Sequence, residues 1–85
     1  MPKVEIYTRP MCGFCHAATK LLQKKQVSYS EYNIWTMDGK KEEMTKRSKG
    51  GRTVPQIFIN DQHIGGCDDI MELERKGKLD KLLKS

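Results

Sequence analysis

Two cysteines set two residues apart, Cys12-Gly13-Phe14-Cys15, stand between an apolar run and a helical pattern. That placement constrains the fold more than any other stretch of the chain. On the first turn of a helix both sulfurs lie on one side, close enough to join as a disulfide. The same helix end carries unpaired N–H groups and a partial positive charge, which favour a thiolate over a thiol. Cys12, at the helix mouth, is therefore the expected nucleophile, with Arg9 and Lys20 adding to the field. Cys15 lies one turn further in and is the expected resolving thiol.

The flanking pattern supplies the rest of the fold. Val4, Ile6 and Tyr7 start a strand that ends near Thr8-Arg9-Pro10, where proline blocks further pairing. Ala17, Ala18, Leu21 and Leu22 give a helix over 12–25 one apolar face. Residues 27–34 alternate as a second strand, with Val27 and Tyr29 inward. Asp38-Gly39 turns into a helix over 40–49, thinly apolar apart from Met44 and stopped by Gly50-Gly51. Residues 54–60, holding Ile57-Phe58-Ile59, form the clearest strand. A turn at Asn60-Asp61-Gln62 returns it through His63-Ile64 as an antiparallel hairpin closing on Gly65-Gly66. Asp68 and Asp69 then open a helix lined by Ile70 and Leu73 and ended by Gly77, and Leu79, Leu82 and Leu83 make a last amphipathic turn or two. The order β-α-β-α-β-β-α, with a right-handed βαβ start, implies an α/β fold: a four-stranded mixed β-sheet with helices on both faces. A C-x-x-C beside such a βαβ unit is the cue for a thioredoxin-like redox fold.

Composition narrows the function. The 85 residues suit one domain, 1–85, built on one small core. The net charge of +5 is scattered, which reads as a solvated surface rather than a nucleic-acid footprint, and a positive field draws in a small anionic thiol. The opening Met1-Pro2-Lys3-Val4-Glu5-Ile6 lacks the apolar core of a signal peptide, and no apolar run approaches the ~20 residues that span a membrane. Three cysteines, an odd number, argue against a secreted disulfide scaffold. The expectation is a cytoplasmic protein, apart from membranes and nucleic acid, whose cysteines do chemistry. Zinc would draw on Cys12, Cys15, Cys67 and one of His16 or His63, without a second C-x-x-C or a His pair to complete the pattern. Cys12 to His16 also spells C-x-x-C-H, the haem-attachment spacing, but four strands do not suit a mostly helical cytochrome. No metal site is expected.

Two further spots carry information. Thr53-Val54-Pro55 marks a strand boundary; were its X-Pro bond cis, the bend would leave the Val54 N–H and C=O free to pair with an extended peptide. Gly65-Gly66-Cys67-Asp68-Asp69 reads as a turn and cap, or as helix-start amides with a carboxylate that bind the zwitterionic end of an amino acid. Cys67 reads as a small, partly buried side chain, with a regulatory thiol as the alternative.

Glu5-Ile6-Tyr7-Thr8, the C-x-x-C-H helix opening, the run from Thr53 to Ile59 and the run from Ile64 to Asp69 together resemble a glutaredoxin over nearly the whole chain. The resemblance is greatest to the small bacterial dithiol glutaredoxins. It implies a monomeric, glutathione-dependent thiol–disulfide oxidoreductase acting on disulfide-bonded or glutathionylated proteins, with glutathione as co-substrate and no tightly bound cofactor. By that resemblance Cys12 attacks, Cys15 resolves, and Val54, ahead of a cis Pro55, pairs with the cysteinyl part of glutathione. The Cys67 and Asp68 amides and the Asp69 carboxylate hold its γ-glutamyl end. Arg9 and Lys41 sit near its glycine carboxylate, Thr53 lines the groove and Phe14 flanks it. One departure matters: the family's dithiol motif usually has proline then tyrosine where this chain has Gly13 and Phe14. Gly-Phe is similar to the monothiol glutaredoxins, so the alternative is a dimer holding a glutathione-ligated [2Fe–2S] cluster through Cys12.

Overall fold

The computed structural model describes residues 2–84. Its elements are β1 (Val4–Thr8), α1 (Gly13–Lys24), β2 (Ser30–Asn33), α2 (Lys40–Arg47), β3 (Gln56–Ile59), β4 (Gln62–Gly65), α3 (Cys67–Arg75) and α4 (Leu79–Leu83). The strands form one four-stranded sheet in the order β2-β1-β3-β4. β1 runs parallel to β2 and antiparallel to β3, and β3 and β4 form the hairpin. The expected mixed sheet is the one observed.

Alternation along β1 and β3 divides the sheet into two faces. Val4, Ile6, Ile57 and Ile59 point to one side and pack against Ala18, Leu21 and Leu22 of α1, Ile70 of α3, and Leu79 and Leu83 of α4. Tyr7 and Phe58 point to the other, where Met44 of α2 covers them. The helices thus lie on both faces.

Several boundaries differ from the sequence pattern: α1 is a residue shorter at each end, β4 takes in Gln62 and Gly65, and three others have a plain physical reason. β2 begins at Ser30, which pairs with Glu5; β1 starts at Val4, so a strand over 27–34 would run past its partner's end. Val27 and Tyr29 still pack on the core, as loop residues. β3 begins at Gln56, opposite Tyr7, because Pro55 has no N–H to give the ladder. α2 stops at Arg47, where the Ser48 hydroxyl turns back to the Met44 carbonyl at 2.7 Å. The hairpin turn is tight: Asn60 and Asp61 both take left-handed backbone, φ 51° and 65°, as a two-residue turn between twisted strands requires.

The α2 face also holds a polar network. Arg47 donates to both carboxylate oxygens of Glu5, at 3.1 and 2.9 Å, and to the Tyr7 hydroxyl at 2.8 Å. Its guanidinium lies 4.1 Å from the centre of the Phe58 ring. The Tyr32 hydroxyl donates to Glu5 at 3.0 Å, and the Tyr7 hydroxyl donates to Glu43. Burial alone would push the Glu5 carboxyl up, but the bonds from Arg47 and Tyr32 and the nearby charges hold it below its ordinary value. α2 buries only Met44 among its apolar side chains, so this network is its second anchor.

Candidate active site

β1 delivers the chain into the turn Arg9-Pro10-Met11. Met11 takes left-handed backbone, φ 59°, and is 98% exposed. The turn leaves Cys12 as the N-cap of α1, half-buried, its Sγ accepting the Cys15 N–H at 3.1 Å. An amide N–H of the helix's first turn is thus aimed at the outer of the two sulfurs. Cys15 sits on the inner side of the same turn at 4% exposure. Burial pushes its thiol up to about 12; the Cys12 sulfur adds to the rise, while a main-chain hydrogen bond with Arg9 opposes it. The two sulfurs are thus unlike: one open at the lip, the other withdrawn and held as a thiol.

The loop ahead of β3 makes the facing wall. The Val54–Pro55 peptide bond is cis. No hydrogen bond joins the Val54 main chain to the other described residues. Beside it, the chain leaves β4 through Gly65, φ 122°, into α3. A Cβ on Gly65 would strike the Asp69 carboxylate, which folds back to accept the Gly66 N–H at 2.9 Å. Asp69 therefore caps its own helix with one carboxylate oxygen. Cys67 is buried in the first turn of α3; burial raises its thiol, with the charges of Asp68 and Cys12 adding to that.

Three adjoining hollows result. A groove of about 510 Å³ runs along Thr53, Val54, Pro55, Gln56, His63 and the residues from Gly65 to Asp69, with Phe14 on its rim. A hollow of about 560 Å³ lies around Cys12 and Cys15, bordered by Arg9, Met11 and His16. A third, of about 370 Å³, is lined by Arg9, Ile34, Trp35, Lys41, Arg52, Thr53 and Val54. Thr53 and Val54 belong to two of these hollows, and Arg9 to the other shared border. Of the residues singled out from the sequence, Arg9, Cys12, Phe14, Cys15, Lys41, Thr53, Val54, Pro55, Cys67, Asp68 and Asp69 border this connected surface. Lys20 borders none of the three and is exposed on α1. Trp35, Arg52, Gln56 and His63 line the site without having been assigned to it. A polar residue inside the apolar run 54–60 was the available signal for Gln56; nothing local marked the others. Among the described residues, no three His, Cys, Asp or Glu side chains group to hold a metal ion, and no helix is long and apolar enough to cross a membrane.

The sheet order and the dithiol at the head of α1 put the chain in the thioredoxin-like class of redox proteins. Comparison with known proteins narrows this. The glutaredoxin family profile matches residues 4–64. The chain is 56% identical to Glutaredoxin 3 of Escherichia coli K12 over 84 residues, 99% of this chain and all of that one. It is 53% identical to a probable glutaredoxin of Synechocystis over 83 residues, 98% of this chain and 94% of that one. The solution structure of a Brucella melitensis glutaredoxin superposes with a TM-score of 0.82 at 48% identity, covering 96% of this chain and 88% of that one. The crystal structure of a buckwheat glutaredoxin–glutathione complex does so with a TM-score of 0.87 at 31% identity, covering 98% and 77%. The chain belongs to the glutaredoxin family, whose members are oxidoreductases.

Proposed function

We propose that the protein is a glutathione-dependent thiol–disulfide oxidoreductase that reduces disulfide-bonded and glutathionylated proteins through Cys12 and Cys15, as a single-domain cytoplasmic monomer. One observation carries the reading. The sulfur that receives an amide hydrogen bond is the half-exposed one, in a hollow that shares Arg9 with the neighbouring hollow lined by Val54, whose main chain makes no hydrogen bond to the other described residues. The glutathione complex of the buckwheat relative supports glutathione as the ligand of that groove.

In the monothiol route the Cys12 thiolate attacks the glutathione sulfur of a mixed disulfide. The Cys12–glutathione bond forms as the protein thiolate leaves. A second glutathione thiolate then attacks the bound glutathione sulfur, releasing oxidised glutathione and the Cys12 thiolate. In the dithiol route Cys12 opens a protein disulfide, and Cys15 attacks the Cys12 sulfur, expelling the second protein thiolate and closing the Cys12–Cys15 disulfide. Two glutathiones, oxidised to their disulfide, restore the dithiol. The withdrawn Cys15 suits this order. Once Cys12 is bonded to substrate it carries no charge, so one of the influences holding Cys15 as a thiol is gone.

Val54 is the proposed partner of the cysteinyl backbone, the Cys67 and Asp68 amides with Asp69 hold the γ-glutamyl end, and Arg9 and Lys41 hold the glycine carboxylate. Thr53, Pro55 and Phe14 shape the walls. The test is asymmetric. Cys15→Ser retains deglutathionylation of a glutathionylated peptide and loses reduction of protein disulfides, while Cys12→Ser loses both. Equal loss of deglutathionylation in the two variants refutes the monothiol route.

A further inference from the structure

One polar side chain at the groove takes no part in these steps. Gln56 opens β3 and is 6% exposed. Its Nε2 donates to the Thr53 carbonyl at 3.0 Å and lies 3.4 Å from the Thr53 hydroxyl. Its Oε1 is 2.6 Å from Nε2 of His63 on β4. A carbonyl oxygen only accepts, so the amide nitrogen must face Thr53. The amide oxygen then faces His63 and also only accepts, which makes His63 the donor through Nε2–H. The His63 ring is in turn stacked on Phe58, centroids 4.9 Å apart. Gly51 closes the remaining side: a Cβ there would come within 3.0 Å of Gln56 Nε2. The carboxamide is thus a strut with two chemically distinct ends, one on the hairpin and one on the Thr53–Val54 segment.

We propose that Gln56, oriented by His63, is a positioning residue that holds the bent Thr53–Val54 main chain in the orientation that pairs with glutathione. This rests on the glutathione reading above and names a device inside that site. The segment needs such a device, because Val54 has no hydrogen bond of its own to the other described residues and Thr53 is exposed. The strut acts on the wall rather than on the sulfur. Losing it weakens recognition of the glutathione backbone and leaves the chemistry of Cys12 alone. His63 matters only as a donor, so another donor of similar reach replaces it.

The experiment uses the full chain and a glutathionylated peptide, with alkylation of Cys12 by iodoacetamide as a glutathione-free measure of the thiol. Gln56→Leu is expected to raise KM for the peptide about fivefold, the loss of a hydrogen bond or two, with kcat and the alkylation rate unchanged. His63→Leu shifts KM in the same direction, and His63→Gln, which retains an N–H₂, returns it to the parent value. Amide NMR signals of Thr53 and Val54 move in Gln56→Leu and His63→Leu and stay in place in His63→Gln. Unchanged KM in folded Gln56→Leu overturns the proposal, as does a His63→Gln protein no better than His63→Leu. Should Gln56→Leu fail to fold, the two variants at exposed His63 decide it by the same criteria. Should the parent protein itself not turn over the peptide, the glutathione reading fails instead. The Thr53 and Val54 signals then decide the strut alone: movement supports it, and no movement overturns it.

Discussion

Replacing Arg47 with methionine separates an ion pair that holds α2 from one that merely decorates it. The Glu5 side chain is 7% exposed and that of Arg47 is 24% exposed. Removing one partner of a buried pair costs about 3–5 kcal/mol, mainly through the charge left behind. Arg47 is partly solvated, and Tyr32 and Lys3 stay beside Glu5, so about 2–3 kcal/mol is expected here. In a domain of this size that is a fall in Tm of roughly 10–20 °C. The pH dependence is the sharper readout. In the parent protein the Glu5 carboxyl is held below its ordinary 4.5. Its contribution is therefore complete above that value and is lost as pH falls through the lower folded one. In Arg47→Met the contributions of Arg47 are gone and burial is opposed by Tyr32 and Lys3 alone, so the folded carboxyl rises from its position in the parent. The variant therefore loses less stability than the parent as pH is lowered through the acid range, and the gap between the two narrows. Adding Glu5→Gln to Arg47→Met recovers part of the loss and removes what remains of the Glu5 pH dependence. Thermal melts followed by circular dichroism at several pH values measure all three proteins. A loss under about 1 kcal/mol, or parent and variant curves running parallel with pH, refutes the reasoning.

Three further outcomes are expected. Gly65→Ala forces a Cβ into the Asp69 carboxylate at a left-handed position, so it loses about 2–3 kcal/mol of stability and weakens glutathione binding together, as thermal melts and calorimetric titration will show. Closure of the Cys12–Cys15 disulfide from a Cys12 mixed disulfide accelerates about tenfold per pH unit through neutrality, because burial keeps Cys15 a thiol; a flat rate in stopped-flow measurements contradicts that. Anaerobic reconstitution with iron, sulfide and glutathione leaves a colourless monomer on gel filtration, whereas a coloured dimer with visible absorption would establish the cluster-holding alternative.

The legible parts of this protein were those whose chemistry is contiguous in the chain. Cys12 and Cys15 share a helix turn, Val54 precedes its proline directly, and Gly65 to Asp69 form one turn and cap. Local spacing announced the dithiol outright; at the other two spots it left a strand boundary or a plain turn and cap equally open, and only the family resemblance implied the cis bond and a ligand. Gln56 and His63 meet only because the hairpin brings β4 alongside β3, and Arg47 reaches Glu5 only once α2 lies across β1. Local pattern treats Glu5 as the solvent side of an alternating strand. The sheet buries both faces, so that position needed a cation from far along the chain. Trp35 and Arg52 were hidden for the same reason, since they come from separate loops and meet at one hollow. The boundaries of β2 and β3 depended on how far β1 extends and on where a proline interrupts the ladder. The first of these is a property of the partner strand.

The two ends of the groove differ in sign. Arg9, Lys41 and Arg52 surround the hollow beyond Val54, while Asp68 and Asp69 stand at the opposite end beside α3. An extended peptide laid along Val54 therefore has a preferred heading, its carboxyl terminus toward the cations and its ammonium toward the acids. Turned end for end, the same peptide would set carboxylate against carboxylate and ammonium against guanidinium. On the proposed reading, the surface around Cys12 would sort incoming chains by direction before any of their side chains is read.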